Sequence, residues 1–157
     1  MDAEHRRSGL RAALPALGAL LVMVIGAILV AGLLDGSRSV ASLEPGDCLR
    51  APEQDQVTQV DPVDCAEPHE LEVIGTVTLG GATYPGDEGV FAAGLDACEA
   101  VFLEYLGEPY DTSIWFLNAF TPSEEGWAAG DRAATCLIFQ FDEELEYVEL
   151  QGTARTG

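Results

Sequence analysis

From Ala12 to Leu34 the chain carries no charged residue, and apolar positions follow one another without the regular polar gaps of an amphipathic helix or a half-buried strand. These 23 residues, at about 1.5 Å each, span about 35 Å as a helix. That is enough to cross a hydrocarbon core of about 30 Å with some tilt. Pro15 falls in the first turn, where a missing N–H costs least. Gly18, Gly26 and Gly32 are tolerated in such helices. Gly26 and Gly32 lack the GxxxG spacing, so no helix dimer is expected from them. The pattern therefore predicts one transmembrane helix over residues 12–34, in contact with the lipid bilayer.

Beyond residue 34 the pattern becomes that of a folded domain. Residues 35–43 form a linker of small and polar residues, and Glu44-Pro45-Gly46-Asp47 reads as a turn. Val57 to Val63 suits a short edge strand interrupted by Pro62. From Leu71 to Leu79, Leu71, Val73, Val77 and Leu79 alternate with Glu72, Ile74, Thr76 and Thr78, which predicts a strand with one apolar face. Asp87 is the expected N-cap of a helix whose stripe is Phe91, Leu95, Cys98, Phe102 and Leu106. Gly107 and Pro109 stop it. Strands follow at Ile114–Phe120 and Ala133–Phe141, the second apolar on both faces and so expected to be central. Tyr147–Leu150 is a candidate final strand. The fold class is α+β, with one main helix packed on a small antiparallel sheet behind a single transmembrane helix.

Charge adds orientation. Arg6, Arg7 and Arg11 precede the apolar run and only Arg38 closely follows it, so the positive-inside bias puts residues 1–11 in the cytoplasm and residues 35–157 outside, at the plasma membrane. A cleaved signal peptide is the competing reading, since Ser39-Val40-Ala41 has the small residues of a cleavage site. Its apolar core is normally only about 7–15 residues. The part after residue 34 holds 25 of the 27 acids against four arginines, and lysine is absent throughout. Such a domain repels nucleic acid and anionic lipid head groups.

All four cysteines, Cys48, Cys65, Cys98 and Cys136, lie in the exported part, where an even count reads as two disulfides. Three pairings exist. Cys48–Cys65 with Cys98–Cys136 is favoured, the first closing a short loop and the second stapling the helix to a strand. The alternative is a metal site built on Cys65 and His69, four apart, with Cys48. The chain has no C-x-x-C pair to support it.

Gly46-Asp47-Cys48-Leu49, then Val63-Asp64-Cys65-Ala66-Glu67-Pro68-His69-Glu70-Leu71, then Tyr84-Pro85-Gly86, the helix with Cys98, Phe102 and Tyr105, and finally Trp127-Ala128-Ala129-Gly130-Asp131-Arg132 with Cys136 follow one another in order. This arrangement resembles the septum-formation domain family, an actinobacterial envelope family usually found behind a membrane anchor. The resemblance covers roughly residues 44–150, leaving 151–157 as a tail. It implies an envelope location and a link to cell division. It supplies no reaction, and a family likeness does not replace a site argument.

No catalytic constellation, and no cofactor, is expected. The exported part has one histidine, His69, and no G-x-S-x-G, P-loop or dinucleotide fingerprint. Glu124-Glu125 and Asp142-Glu143-Glu144 are carboxylate pairs of a kind any chain this acidic contains. Tyr84, Trp115 and Trp127 could line a sugar groove, but aromatic residues of this kind more often pack a core. His69, flanked by Glu67 and Glu70, is either a pH-sensing or ligand-binding residue or a histidine bonded to the Cys65 turn. Arg132 is expected to pair with the carboxylate of Asp47 or Asp131. The sequence thus reads as a non-enzymatic tethered domain that binds a division protein, another envelope protein or the wall itself. The alternatives are a wall-polymer enzyme using paired carboxylates and a sensory input domain.

Overall fold

A computed structural model describes residues 37–52 and 57–155. The chain divides into two units, residues 1–36 and 37–157, and the described residues belong to the second. The expected transmembrane helix at 12–34 lies outside the described residues. Among the described residues, no helix is long and apolar enough to cross a membrane.

The domain is α+β. Its strands are β1 (Arg38–Ser39), β2 (Cys48–Leu49), β3 (Gln59–Val60), β4 (Pro62–Val63), β5 (Leu71–Thr78), β6 (Phe116–Phe120) and β7 (Ala133–Phe139). The helices are α1 (Asp87–Leu106) and the short α2 (Glu124–Ala128). Five strands make one antiparallel sheet in the order β4-β2-β5-β7-β6, and β1 pairs with β3 in a separate ribbon. Pro62 sits on the edge strand β4, where a missing N–H breaks no ladder. The expected strand at Tyr147–Leu150 is reduced to isolated bridges, Phe141 to Tyr147 and Leu150 to His69.

β5 departs from simple alternation. Val73 pairs with Leu137 and Gly75 with Cys136, so Ile74 is an extra residue, a bulge. An extra residue exchanges the faces beyond it. Leu71 and Val73 join Leu43, Leu49, Leu137 and Phe139 on the face away from α1. Ile74 joins Cys98, Phe102, Leu117 and Ile138 beneath α1, and Val77 packs against that cluster. The single apolar face expected for this strand is therefore replaced by burial on both sides. Glu72, expected on a polar face, is fully buried.

α1 also sits differently from the expected stripe. Its buried residues are Val90, Gly94, Cys98, Phe102, Tyr105 and Leu106, while Phe91 is 41% exposed. Two glycines set the distance of approach. A Cβ on Gly75 would lie 2.6 Å from Val101 Cγ1, and one on Gly94 would lie 2.8 Å from Thr121 Cγ2. Small residues here let helix and sheet touch, and an alternation-based stripe gives no weight to glycine. The cap of α1 is Gly86, not Asp87. Asp87 lies in the first turn, where its charge favours the positive helix end, and accepts a hydrogen bond from Tyr84 at 2.5 Å. That bond, with burial and the charge of Asp87 added, pushes Tyr84 up to about 12. Gly107 ends the helix at φ 75°.

Candidate functional site: a buried carboxylate and imidazole beside a disulfide

Both favoured disulfides form: Cys48–Cys65, 17 residues apart, and Cys98–Cys136, 38 apart. The second joins α1 to β7 inside the apolar cluster, as its helix and strand positions predicted. The first borders a buried polar group that includes Glu72 and His69.

That group is organised by Glu72. Cys48 stands opposite Glu72 across β2 and β5. Three donors converge on the buried carboxylate. The Tyr105 hydroxyl donates to Oε1 at 2.6 Å, the Thr153 hydroxyl donates to the same oxygen, and the Ala154 N–H donates to Oε2 at 2.6 Å. Burial, and then the bond to Glu72, pushes Tyr105 up to about 12. The Arg155 guanidinium lies 5.4 Å over the Tyr105 ring.

His69 is also fully buried. Its Nδ1 lies 2.9 Å from the Glu67 carbonyl oxygen. A carbonyl only accepts, so Nδ1 carries the proton. Among the described residues, the buried Nε2 has no hydrogen-bond partner. Backbone bonds join His69 to Leu150 in both directions, and Gly152 N–H donates to the Cys65 carbonyl at 2.6 Å. The C-terminal stretch 150–155 is thereby strapped across the disulfide loop. Of the two readings of His69, the bond to the turn after Cys65 is the one with geometry behind it. The sequence offered no signal for the burial of Glu72: alternation places it on the face opposite Leu71 and Val73, but does not tell that Tyr105 and the strap cover that face.

Ligand atoms of Cys48, His69 and Glu72 lie within 4.8 Å of one another. The donor chemistry does not suit a cation. Metal binding wants a thiolate, but the Cys48 sulfur is bonded to Cys65. Both Glu72 oxygens already accept hydrogen bonds.

The remaining predicted residues fall elsewhere. Among the described residues, Arg132 pairs with backbone carbonyls and not with a carboxylate. Its guanidinium donates to the carbonyls of Trp127 and Asp131 at 2.7 Å and of Gly81 at 3.3 Å, and stacks 3.9 Å from the Trp127 ring. The turn after α2 turns backbone oxygens toward it, and three acceptors plus a ring replace one carboxylate. Asp131 instead accepts from the Ala133 N–H at 2.9 Å. Asp47 accepts from the Glu44 N–H and forms an ion pair with Arg38 at 3.2 Å. Tyr84 packs edge-on against buried Trp127, whereas Trp115 packs against the separate cluster under α1, so the three aromatics share no groove. Glu124 and Glu125 occupy the first turn of α2. The Asp142 carboxylate caps its own turn through the Glu144 and Glu146 N–H groups.

A family model described as septum formation matches residues 26–90 and 45–157. The chain belongs to the septum-formation family. The match takes in both disulfides, the His69 turn, Glu72 and the strap. No curated protein and no solved structure matches the chain. The septum-formation domain is thus described by its own geometry: a helix-covered sheet with a polar clamp at one end.

Proposed function

We propose that this protein is a non-enzymatic, membrane-tethered domain of an actinobacterial cell envelope that binds an envelope or division-site partner and contributes to septum formation. Residues 12–34 would anchor it, with residues 1–11 cytoplasmic and the disulfide-bonded domain outside. The observation that carries the reading is the use made of its most reactive groups. Glu72, the His69 ring proton and all four cysteines are engaged in internal bonds that hold the fold together. Membership of the septum-formation family supports the division role. A fluorescent fusion gathered at septa, with aberrant septa in a deletion strain, is the expected result. An evenly spread fusion with normal septa in the deletion strain overturns it. Labelling of intact cells with an impermeant maleimide, only after an impermeant reductant, checks the topology.

A second reading, an enzyme acting on wall polymers through two carboxylates, has one observation in its favour. A shallow hollow of about 340 Å³ is lined by Glu99, Leu103, Pro109, Tyr110 and Asp111. It places two acids on one concavity, the arrangement glycoside hydrolysis uses, although neither acidic run singled out from the sequence contributes to it. Release of soluble wall fragments by the protein, abolished by Glu99→Gln or Asp111→Asn, would favour this reading over binding.

A further inference from the structure

The sheet face away from α1 is covered unevenly. Leu43 and Val60 cover it over β2 and β5, joined by Val40 and Val57. Towards β6 the cover thins among the described residues, and Phe116, the half-buried Phe141 and Tyr147 surround the buried Phe139. Phe116, Phe139, Phe141 and Tyr147 form one contiguous group with centroids 4.9–5.6 Å apart. Phe116 is 43% exposed, Tyr147 40% and the neighbouring Leu145 75%. Exposed apolar groups of this kind mark interaction sites in soluble domains.

The chemistry around the ridge selects its occupant. Glu143, Glu144, Glu146 and Glu149 are all exposed in the same short segment as Phe141 and Tyr147. No basic residue occurs between Arg132 and Arg155. Among the described residues the ion pair is Arg38–Asp47, far along the chain from this turn. The carboxylates beside the rings are thus not neutralised there. A second copy of a chain of net charge −20 would be repelled, and so would an anionic lipid surface. A cationic side chain is attracted twice, by the carboxylates and by the negative faces of the rings. Strand addition is disfavoured, because on the edge strand β6 the Ala119 N–H is already taken by the Asn118 side chain.

We propose that the ridge of Phe116, Phe141 and Tyr147, seated on the buried Phe139 and accompanied by these glutamates, docks a segment of a partner protein in which lysine or arginine alternates with apolar residues. This inference rests on the binding reading above and names the surface and the partner's chemistry. The apolar side chains cover the rings, and the cations meet the glutamates at the rim, where they set specificity and association rate.

The test uses the full chain in nanodiscs of zwitterionic lipid. The probes are short peptides alternating Lys with Leu, Lys with Ser, and Glu with Leu, together with soluble wall muropeptides, followed by calorimetric titration at low and physiological ionic strength. Expected is binding of the Lys/Leu peptide alone at physiological ionic strength, weakened at least about tenfold by Phe116→Ser or Tyr147→Ser. Leu145→Ser, at a more exposed position, should weaken it less and guards against a folding defect. Unchanged binding by the ridge variants overturns the proposal. So does an equal loss with the Glu124→Gln/Glu125→Gln pair on α2, or preferential binding of muropeptides. In cells, a wild-type fusion at septa with a dispersed Phe116→Ser/Tyr147→Ser fusion supports the ridge. Both at septa overturns the ridge alone, and neither at septa overturns the binding reading beneath it.

Discussion

Cys98 and Cys136 are fully buried among the apolar side chains of Ile74, Phe102, Leu117 and Ile138. Cys48 is equally buried but stands opposite Glu72, and its partner Cys65 is only partly covered. The two disulfides thus hold two kinds of interior. Under α1, the fold is held by apolar area and by fit, with glycines at the points of closest approach. At the clamp, it is held by directional bonds from the strap to Glu72, His69 and Cys65. The comparison teaches that errors of volume should matter in the first region and errors of hydrogen bonding in the second.

The disulfides test the contrast most strongly. By loop-closure entropy, replacing Cys98 and Cys136 with alanine should cost about 4 kcal/mol, and replacing Cys48 and Cys65 about 3 kcal/mol. Urea denaturation of the two double variants should preserve that order. A reversed order would show that the clamp, not the helix–sheet interface, dominates stability.

Glu72→Ala should cost about 2–3 kcal/mol, because it strands the Tyr105 hydroxyl and the bonds from Thr153 and Ala154. Its effect should be concentrated at the strap, seen as faster hydrogen exchange at Leu150 and Gly152 than at β7. Equal exchange at both places would dissolve the distinction between the regions.

Gly75→Ala belongs to the other region. The added methyl meets Val101, 2.6 Å away, and overpacking of this kind costs about 1–3 kcal/mol. Val101→Ala in the same chain should recover most of the loss, whereas it should not rescue Glu72→Ala. Failure of the rescue would mean that β5 resists substitution at Gly75 for a reason other than the approach of α1.

The smallest effect is at Tyr105. Tyr105→Phe removes one donor from Glu72 and should cost about 1–2 kcal/mol near neutral pH. Its hydroxyl is pushed up to about 12 from 10.0, so the folded state resists ionisation more than the unfolded chain does. The stability linked to it is fully present below pH 10 and is lost as pH rises through the folded value. Wild-type denaturation midpoints should therefore fall steeply between pH 10 and 12, and Tyr105→Phe should fall less. Tyr84 is raised similarly, so Tyr84→Phe is the necessary reference.

Much of this division was legible beforehand. The α+β class, the main helix and its stop at Gly107 and the two-sided burial of β7 follow from local pattern, because apolar spacing reports local geometry directly, whereas the disulfide pairing was one favoured choice among three that the structure then formed. Phe91 was misplaced because a stripe drawn through large residues passes over Gly94, whose small size is what brings α1 onto the sheet. Arg132 was matched to a carboxylate because charge invites that pairing, yet carbonyls at a turn can satisfy a guanidinium as fully. Alternation puts Glu72 on the face opposite Leu71 and Val73, where it does lie, but polarity alone suggests an open face, and α1 and the strap close it.

By itself, the chain's sequence determined a domain of this class, its acidity, its family resemblance and the residues that could be bridged. Only the tertiary structure decided what covers and satisfies Glu72, and where Phe116 and Tyr147 stay exposed together. Period and charge are properties of neighbouring residues. A bulge, a strap from residues 150–155 back to residues 65–72, and an incomplete sheet cover depend on contacts between segments far apart in the chain, which no local pattern records.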